Sequence, residues 1–376
     1  MLSKIITFIA LSLTLSSAHA GEMLKKYSKV AASPYTSWGV KEESSASINV
    51  QQAWKIFKKK KDILVAVIDT GVDPHHPLIS KNLFRKFPTR KPTSFSFGVD
   101  FSKNHDDKWT PFDQNGHGTH ISGIIKSVFP DVKLLTLKYY NPQASGYDNL
   151  NSTLKALKYA IDQNVDIINY SGGGPESSRV EYELLKEAER KGILIVAAAG
   201  NNRSDIDNPQ NAYFPASYNL SNIINVTAHD QNLIPLRSSN WGQRSVHIAA
   251  PGHRILSSIP MGRFGYLSGT SQATAFVSGV AALMMATNPK LNPLSIKNII
   301  IQTAKKEKTL KTVSVSSGRI DAHKALEVAS KVKGQLKSKE TSKLAKRKSA
   351  KVKKHHRKTA SKNTKPKKMG RIIYRL

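Results

Sequence analysis

The sequence predicts an α/β protein of three layers, α/β/α, around a mainly parallel central sheet, followed by a basic tail with no fold of its own. Three observations predict it. Short apolar and β-branched runs (Ile63–Ile68, Val132–Leu137, Val165–Tyr170, Ile193–Ala199) are too continuous to have a wet face, as in strands buried on both sides of a parallel sheet. Helical stretches (Ser152–Gln163, Val180–Arg190) alternate with them at the spacing of crossover connections. From Lys331 to Leu376 the composition changes to Lys, Arg, Ser, Thr and Ala, with Glu340 as the one acid. Such a segment buries too little apolar surface to fold alone and is expected to be disordered.

In chain order, Met1–Ala20 has a lysine near its start, an apolar Ile5–Leu15 and the small-residue ending Ala18-His19-Ala20. That is the form of a signal peptide cleaved after Ala20, so the product is expected to be exported: secreted, periplasmic or held at the cell surface. The apolar run is too short to span a bilayer. Residues 21–33 read as a short leader or linker, and the folded domain as 34–330. Pro34–Phe57 is expected to wrap the surface, with a short helix near Val50–Phe57. The Ile63–Ile68 strand ends in Asp69-Thr70-Gly71, Phe95–Phe101 reads as a short strand, and Asn115-Gly116-His117-Gly118-Thr119-His120 opens an apolar helix. Strands follow at Asn222–Thr227 and Ser245–Ala249. Then comes Ser268-Gly269-Thr270-Ser271 before a helix whose Ala275–Met285 run is apolar enough to be buried. A further helix spans Pro293–Thr303, and the last starts near Gly318–Ala322.

Composition bounds the chemistry. A chain of 376 residues with 39% hydrophobic content can build one large core or two modest ones. The absence of cysteine excludes disulfides, thiolate metal sites and a thiol nucleophile. A net charge of +32 predicts attraction to polyanions. No zinc spacing, groove-reading motif or aromatic ladder accompanies the charge, so sequence-specific nucleic-acid recognition is not expected. The tail reads either as a solvated, cleavable extension or as an electrostatic tether to an anionic envelope surface. A monomer is expected.

Three residues stand where chemistry is usually placed: Asp69 at the end of a buried strand, and His117 and Ser271 at the openings of helices. A serine hydroxyl is a weak nucleophile unless a base takes its proton as it attacks. Histidine can accept that proton and return it to a leaving amine, and a carboxylate can hold the imidazole in one tautomer. Taken singly, Asp69 also reads as a turn residue, and His117 and Ser271 as helix caps. Glycines beside His117 leave room for a substrate backbone, and His120 reads as a packed structural residue.

Val67-Ile68-Asp69-Thr70-Gly71, Asn115-Gly116-His117-Gly118-Thr119-His120 and Ser268-Gly269-Thr270-Ser271 resemble the three signature blocks of the subtilisin-like serine peptidases (subtilases, peptidase family S8), in that family's chain order. The resemblance runs from about Trp38 to Ala329 and implies a subtilisin-like fold and hydrolysis of protein or peptide substrates. It also implies roles: Asp69 orients, His117 moves the proton and Ser271 attacks. Ala197-Ala198-Ala199-Gly200-Asn201 resembles the oxyanion block, which implies that the Asn201 amide and the Ser271 N–H receive the oxyanion. Ser171-Gly172-Gly173-Gly174 resembles the segment that pairs with substrate and walls the primary specificity pocket. The serine block departs from the family at Gln272, Ala275 and Phe276, where Met, Pro and His are usual. No domain-sized prodomain fits between Gly21 and Trp38. The chemistry needs no cofactor and no metal ligands are assigned. Structural calcium is common in the family, but Asp73, Asp100, Asp205 and Asp207 fit no spacing that assigns it. The alternative is a catalytically silent scaffold of this fold that binds polyanions through its tail.

Overall fold

The computed structural model describes residues 25–332 except 26, 31, 34, 86–95 and 103–107. The signal segment, nearly all of the basic tail and the start of the Phe95–Phe101 stretch therefore lie outside the described residues. The strands are β1 (Leu64–Asp69), β2 (Gly98–Asp100), β3 (Lys133–Lys138), β4 (Ile167–Tyr170), β5 (Leu194–Ala198), β6 (Ile223–His229), β7 (Ile248–Pro251), β8 (Ile255–Ile259), β9 (Arg263–Leu267), β10 (Lys305–Lys306) and β11 (Gly318–Arg319). The longer helices are α1 (Val50–Ile56), α2 (His117–Val128), α3 (Gly146–Asp162), α4 (Arg179–Arg190), α5 (Thr270–Thr287), α6 (Pro293–Thr303) and α7 (Ala322–Lys331).

One nine-stranded sheet has the order β10-β11-β7-β6-β5-β4-β1-β3-β2, and β8 and β9 pair as a separate antiparallel hairpin. Every neighbouring pair in the large sheet is parallel except β10–β11. The side chains of each central strand divide between two cores because their directions alternate. Val65 and Val67 join Ile121, Ile124 and Val277 on the face covered by α2 and α5. Ala66 and Ile68 join Ala156, Leu157 and Leu185 on the face covered by α3 and α4. This is the three-layer arrangement that the continuous apolar runs predicted.

Helix α5 is the innermost element, with all 18 of its residues buried. Its enclosure explains why the stretch through α1 does more than wrap a surface. Ile48, Val50, Ala53 and Trp54 are core residues, and the Trp54 indole N–H donates to the Val128 carbonyl at 2.9 Å. Residues 27–30, within the stretch read as a leader or linker, are helical. Tyr27 is buried against Trp54 and Phe57, and its hydroxyl donates to Asp131 at 3.0 Å. Arg319, 1% exposed, ties this N-terminal region to the end of the domain. Its guanidinium donates to the carbonyls of Ser45 and Ser47 and pairs with Glu307. Helix α3 starts at Gly146, earlier than Ser152, because Ser145 caps it by accepting from the Asp148 N–H.

The three departures in α5 can be judged from their surroundings. Ala275 and Phe276 are fully buried, and the Phe276 ring abuts Gly39, where a Cβ would stand 2.6 Å from its Cζ. Gln272 is also buried, and its amide nitrogen has no hydrogen-bond partner among the described residues. Leaving a polar group dry and unpaired costs about 1–3 kcal/mol. Gln272→Met should therefore raise the unfolding free energy by about 1–3 kcal/mol, the cost of that unpaired amide. Phe276→Ala should lower it by about 3–5 kcal/mol through the cavity it opens. Denaturant titration followed by circular dichroism measures both.

Candidate active site

Strand β1 is buried nearly to its end, so the Asp69 carboxylate emerges at the C-terminal edge of the sheet already out of water, 2% exposed. Ligand-facing residues of open α/β sheets stand at this edge. Oδ1 accepts from the Thr70 N–H at 2.8 Å and from His117 Nδ1 at 2.7 Å, while Oδ2 is buried with no hydrogen-bond partner among the described residues. An ionised carboxylate can only accept, so the contact makes Nδ1 the donor and leaves Nε2 with its lone pair free. Burial would lower the His117 pKa. The charge and hydrogen bond of Asp69, with the charge of Asp113, outweigh it and raise the pKa above its ordinary 6.5.

His117 is the first residue of α2, and the turn before it is held by a buried carboxylate that the sequence reading passed over. Asp113 Oδ1 accepts from the Thr70 hydroxyl (2.9 Å), the Asn115 N–H (3.0 Å) and the Gly116 N–H (2.8 Å). Its Oδ2 accepts from the N–H (2.9 Å) and hydroxyl (2.6 Å) of Thr119. Burial alone would raise the Asp113 pKa, but these hydrogen bonds prevail and hold it below its ordinary value. Thr70 completes the clamp by accepting from the Gly118 N–H at 2.9 Å. A Cβ at Gly118 would overlap the Gly71 carbonyl, so only glycine lets the helix start this close to the strand end. The signal available in the sequence was an aspartate one turn ahead of a helix, a usual site for side-chain bonding to backbone N–H groups.

The β8–β9 hairpin, which no alternation in the sequence announced, braces the same helix turn from outside. Ser257 and Ser258 donate to the carbonyls of His120 and Thr119, each at 2.8 Å. His120 is fully buried with Nε2 between the carbonyls of Ile255 (2.9 Å) and Gly265 (3.2 Å). Burial lowers its pKa to about 4, so it stays neutral as a packed donor.

Ser271 is the second residue of α5, buried at the helix N-terminus. Its hydroxyl donates to the Ser171 carbonyl at 2.9 Å and makes no hydrogen bond to His117. Ser171 sits on a buried polar chain, since Asn169 donates to its hydroxyl and Ser278 donates to Asn169, each at 2.8 Å. The structure thus joins Asp69 to His117 and Ser271 to Ser171. A turn about the serine Cα–Cβ bond redirects the hydroxyl, and such contacts are commonly loose before substrate binds.

Asn201 follows β5. Its Oδ1 accepts from the N–H (3.0 Å) and hydroxyl (3.2 Å) of Thr270, which fixes the amide orientation and leaves the Nδ2 donors unbonded within the described residues. The Ser271 N–H, in the first turn of the helix, also has no hydrogen-bond partner among the described residues, since α5 begins without a side-chain cap at Gly269. A cleft of about 620 Å³ lined by Asn201, Arg203, Arg237, His253 and Ser268 opens alongside. Of the Ser171–Gly174 stretch, Gly172 and Gly173 keep their backbone groups unbonded within the described residues. Gly174 does not, because it exchanges two backbone hydrogen bonds with Phe214 (3.0 and 2.7 Å). That edge is already paired, so the stretch that can pair with a peptide is shorter than the sequence implied.

Asp73, Asp205 and Asp207 accept backbone N–H groups of their own surroundings, and Asp100 accepts from Ser102. Among the described residues no three His, Asp or Glu side chains converge on a point that could hold a metal.

The profile described as the Subtilase family (Peptidase_S8) matches residues 60–326. The major intracellular serine protease of Bacillus subtilis (strain 168) is 31% identical over 247 residues, 63% of this chain and 72% of that protein. The thermophilic serine proteinase of Bacillus sp. (strain AK1) is 34% identical over 284 residues, 73% of this chain and 64% of that protein. Thermitase of Thermoactinomyces vulgaris is 32% identical over 290 residues, 74% of this chain and 94% of that protein. With its signature residues gathered at one edge of a parallel sheet and this match across most of its length, the chain belongs to the subtilase family, peptidase S8.

Proposed function

We propose that the protein is an exported serine endopeptidase that hydrolyses peptide bonds through an acyl-enzyme, with Asp69, His117 and Ser271 as its triad. The observation that carries the reading is the 2.7 Å contact between His117 Nδ1 and the buried Asp69 carboxylate, on the same sheet edge as a serine hydroxyl and an asparagine amide.

In this mechanism the Ser271 hydroxyl leaves the Ser171 carbonyl and attacks the scissile carbonyl carbon as its proton passes to His117 Nε2. Asp69 stabilises the resulting imidazolium through Nδ1–H. The oxyanion receives hydrogen bonds from the Ser271 N–H and Asn201 Nδ2, helped by the positive end of the α5 dipole. Collapse of the tetrahedral intermediate breaks the C–N bond, and His117 returns the proton to the leaving amine. Water, deprotonated by His117, then hydrolyses the acyl-enzyme by the same steps. Gly172 and Gly173 offer free backbone groups to the substrate chain, a mode of binding that supplies affinity with little side-chain selectivity.

Export rests on the form of Met1–Ala20, since relatives of the family include an intracellular protease. No described helix is long and apolar enough to cross a membrane. The basic tail tethers the enzyme to an anionic envelope surface, a contact that weakens steeply with salt. Elution of the full-length protein from anionic vesicles at rising ionic strength tests this, and salt-independent retention would contradict it.

Ser271→Ala should lower kcat/KM on casein-derived peptides by roughly 10⁴-fold or more. Asn201→Ala should cost about 10²–10³-fold in kcat, the loss expected when one oxyanion donor goes. A fluorophosphonate probe should label the wild type at Ser271. Failure to label would favour a silent scaffold. Because His117 must be neutral to act as base and its pKa is raised, kcat/KM should climb with pH through a midpoint above 6.5. A flat profile between pH 6 and 8 would count against His117 as the base.

A further inference from the structure

Tyr213 stands against Gly173 and Gly200, chain neighbours of the Ser171 and Asn201 ends of the site, and no step of the hydrolysis uses it. Strands β4 and β5 are parallel neighbours in register as far as the pair Tyr170 and Ala197. Beyond that pair one strand continues through Ser171, Gly172 and Gly173, the other through Ala199 and Gly200 to Asn201. Ser171 holds the Ser271 hydroxyl and Asn201 carries the free amide. A peptide carbonyl set between those two groups turns the side chain of its own residue into the gap between the two strand ends. This assignment of the gap rests on the peptidase reading above.

Both walls of the gap are glycine, with left-handed φ of 153° at Gly173 and 99° at Gly200. Bare backbone walls admit a flat group between them, and the group between them is the chain's own Tyr213 ring. A Cβ on Gly173 would stand 2.6 Å from Tyr213 Cε1 and 3.1 Å from Cζ. One on Gly200 would stand 2.9 Å from Cε2 and 3.0 Å from Cδ2. Cε1 and Cε2 are opposite edges of the ring, so the ring spans the gap from wall to wall.

The main chain that carries the ring is also anchored. The Tyr213 N–H donates to the Ser217 hydroxyl at 3.0 Å, and its carbonyl accepts from the Ser217 N–H at 2.8 Å. It packs on the cluster of Ala199, Ile206, Ala216 and Val246. Phe214, the next residue, is stitched to Gly174 by the two backbone bonds already described. Displacing this segment would break its bonds to Gly174 and Ser217.

We infer that Tyr213 fills the pocket for the side chain of the acyl-donating residue, so that the enzyme cleaves after glycine, alanine or serine and rejects phenylalanine, tyrosine and leucine. The discrimination is steric. One methylene changes transition-state binding in a fitted pocket by about tenfold or more, and an aromatic side chain exceeds alanine by far more than that.

The test is kcat/KM on a peptide series that varies only this residue through alanine, leucine and phenylalanine, with cleavage points read by mass spectrometry. Wild type should prefer alanine to phenylalanine by at least about tenfold, and Tyr213→Gly should reverse the order. A wild type that the fluorophosphonate labels at Ser271, yet that cuts after phenylalanine as fast as after alanine, overturns the inference and leaves the peptidase reading standing. A Tyr213→Gly enzyme that turns over with the wild-type ranking overturns it too. If that variant does not fold, the wild-type ranking decides alone. A wild type that is neither labelled nor active overturns the peptidase reading and this inference with it.

Discussion

A helix with no face for water sets the terms for the rest of the molecule. All 18 residues of α5 are buried, so the sheet must cover one side and α2, α7 and the N-terminal segment must close the others. Apolar side chains provide most of the driving force, at roughly 25 cal/mol per Å² removed from water. The same enclosure shapes the chemistry. The first-turn N–H groups of a helix have no preceding turn to bond; here Asn201 takes the one from Thr270, and the helix dipole favours negative charge where the Ser271 hydroxyl lies.

Two buried aspartates at the sheet edge show how environment divides labour between like groups. Asp113 accepts from four residues and spends its lone pairs on holding the β1 end to the α2 start. Among the described residues Asp69 accepts from only two donors, the Thr70 N–H and the His117 ring. A carboxylate saturated by its own turn is a fastening. One with an oxygen left unpaired in a dry site keeps electrostatic pull for the imidazole.

The parts legible in the sequence were those whose signal is local. Asp69 follows an unbroken apolar run, His117 sits between glycines at a helix start, and Ser271 precedes a helix too apolar to be exposed; each can be read in a window of a few residues. Tyr213 and Asn169 were not legible because their importance comes from residues distant in the chain that folding brings against them. The β8–β9 hairpin escaped because its strands do not alternate cleanly and its turn uses Met261 with a left-handed backbone ahead of Gly262. Tyr27 escaped because one aromatic in a polar stretch has no periodicity to reveal it. The two-faced strands were recognised as such, yet periodicity alone did not say that the segment before them would be needed to close the core.

Arg319 has a consequence for how the protein comes into being. Its guanidinium, held by the carbonyls of Ser45 and Ser47, joins chain positions 274 and 272 residues apart. The Ile48 carbonyl likewise waits for the Ala322 N–H. A growing polypeptide therefore keeps its early aromatic cluster of Tyr27, Trp54 and Phe57 without its final cover until the last helix has emerged. The enclosure of α5, whose first turn carries Ser271, is likewise completed only when α7 packs against it.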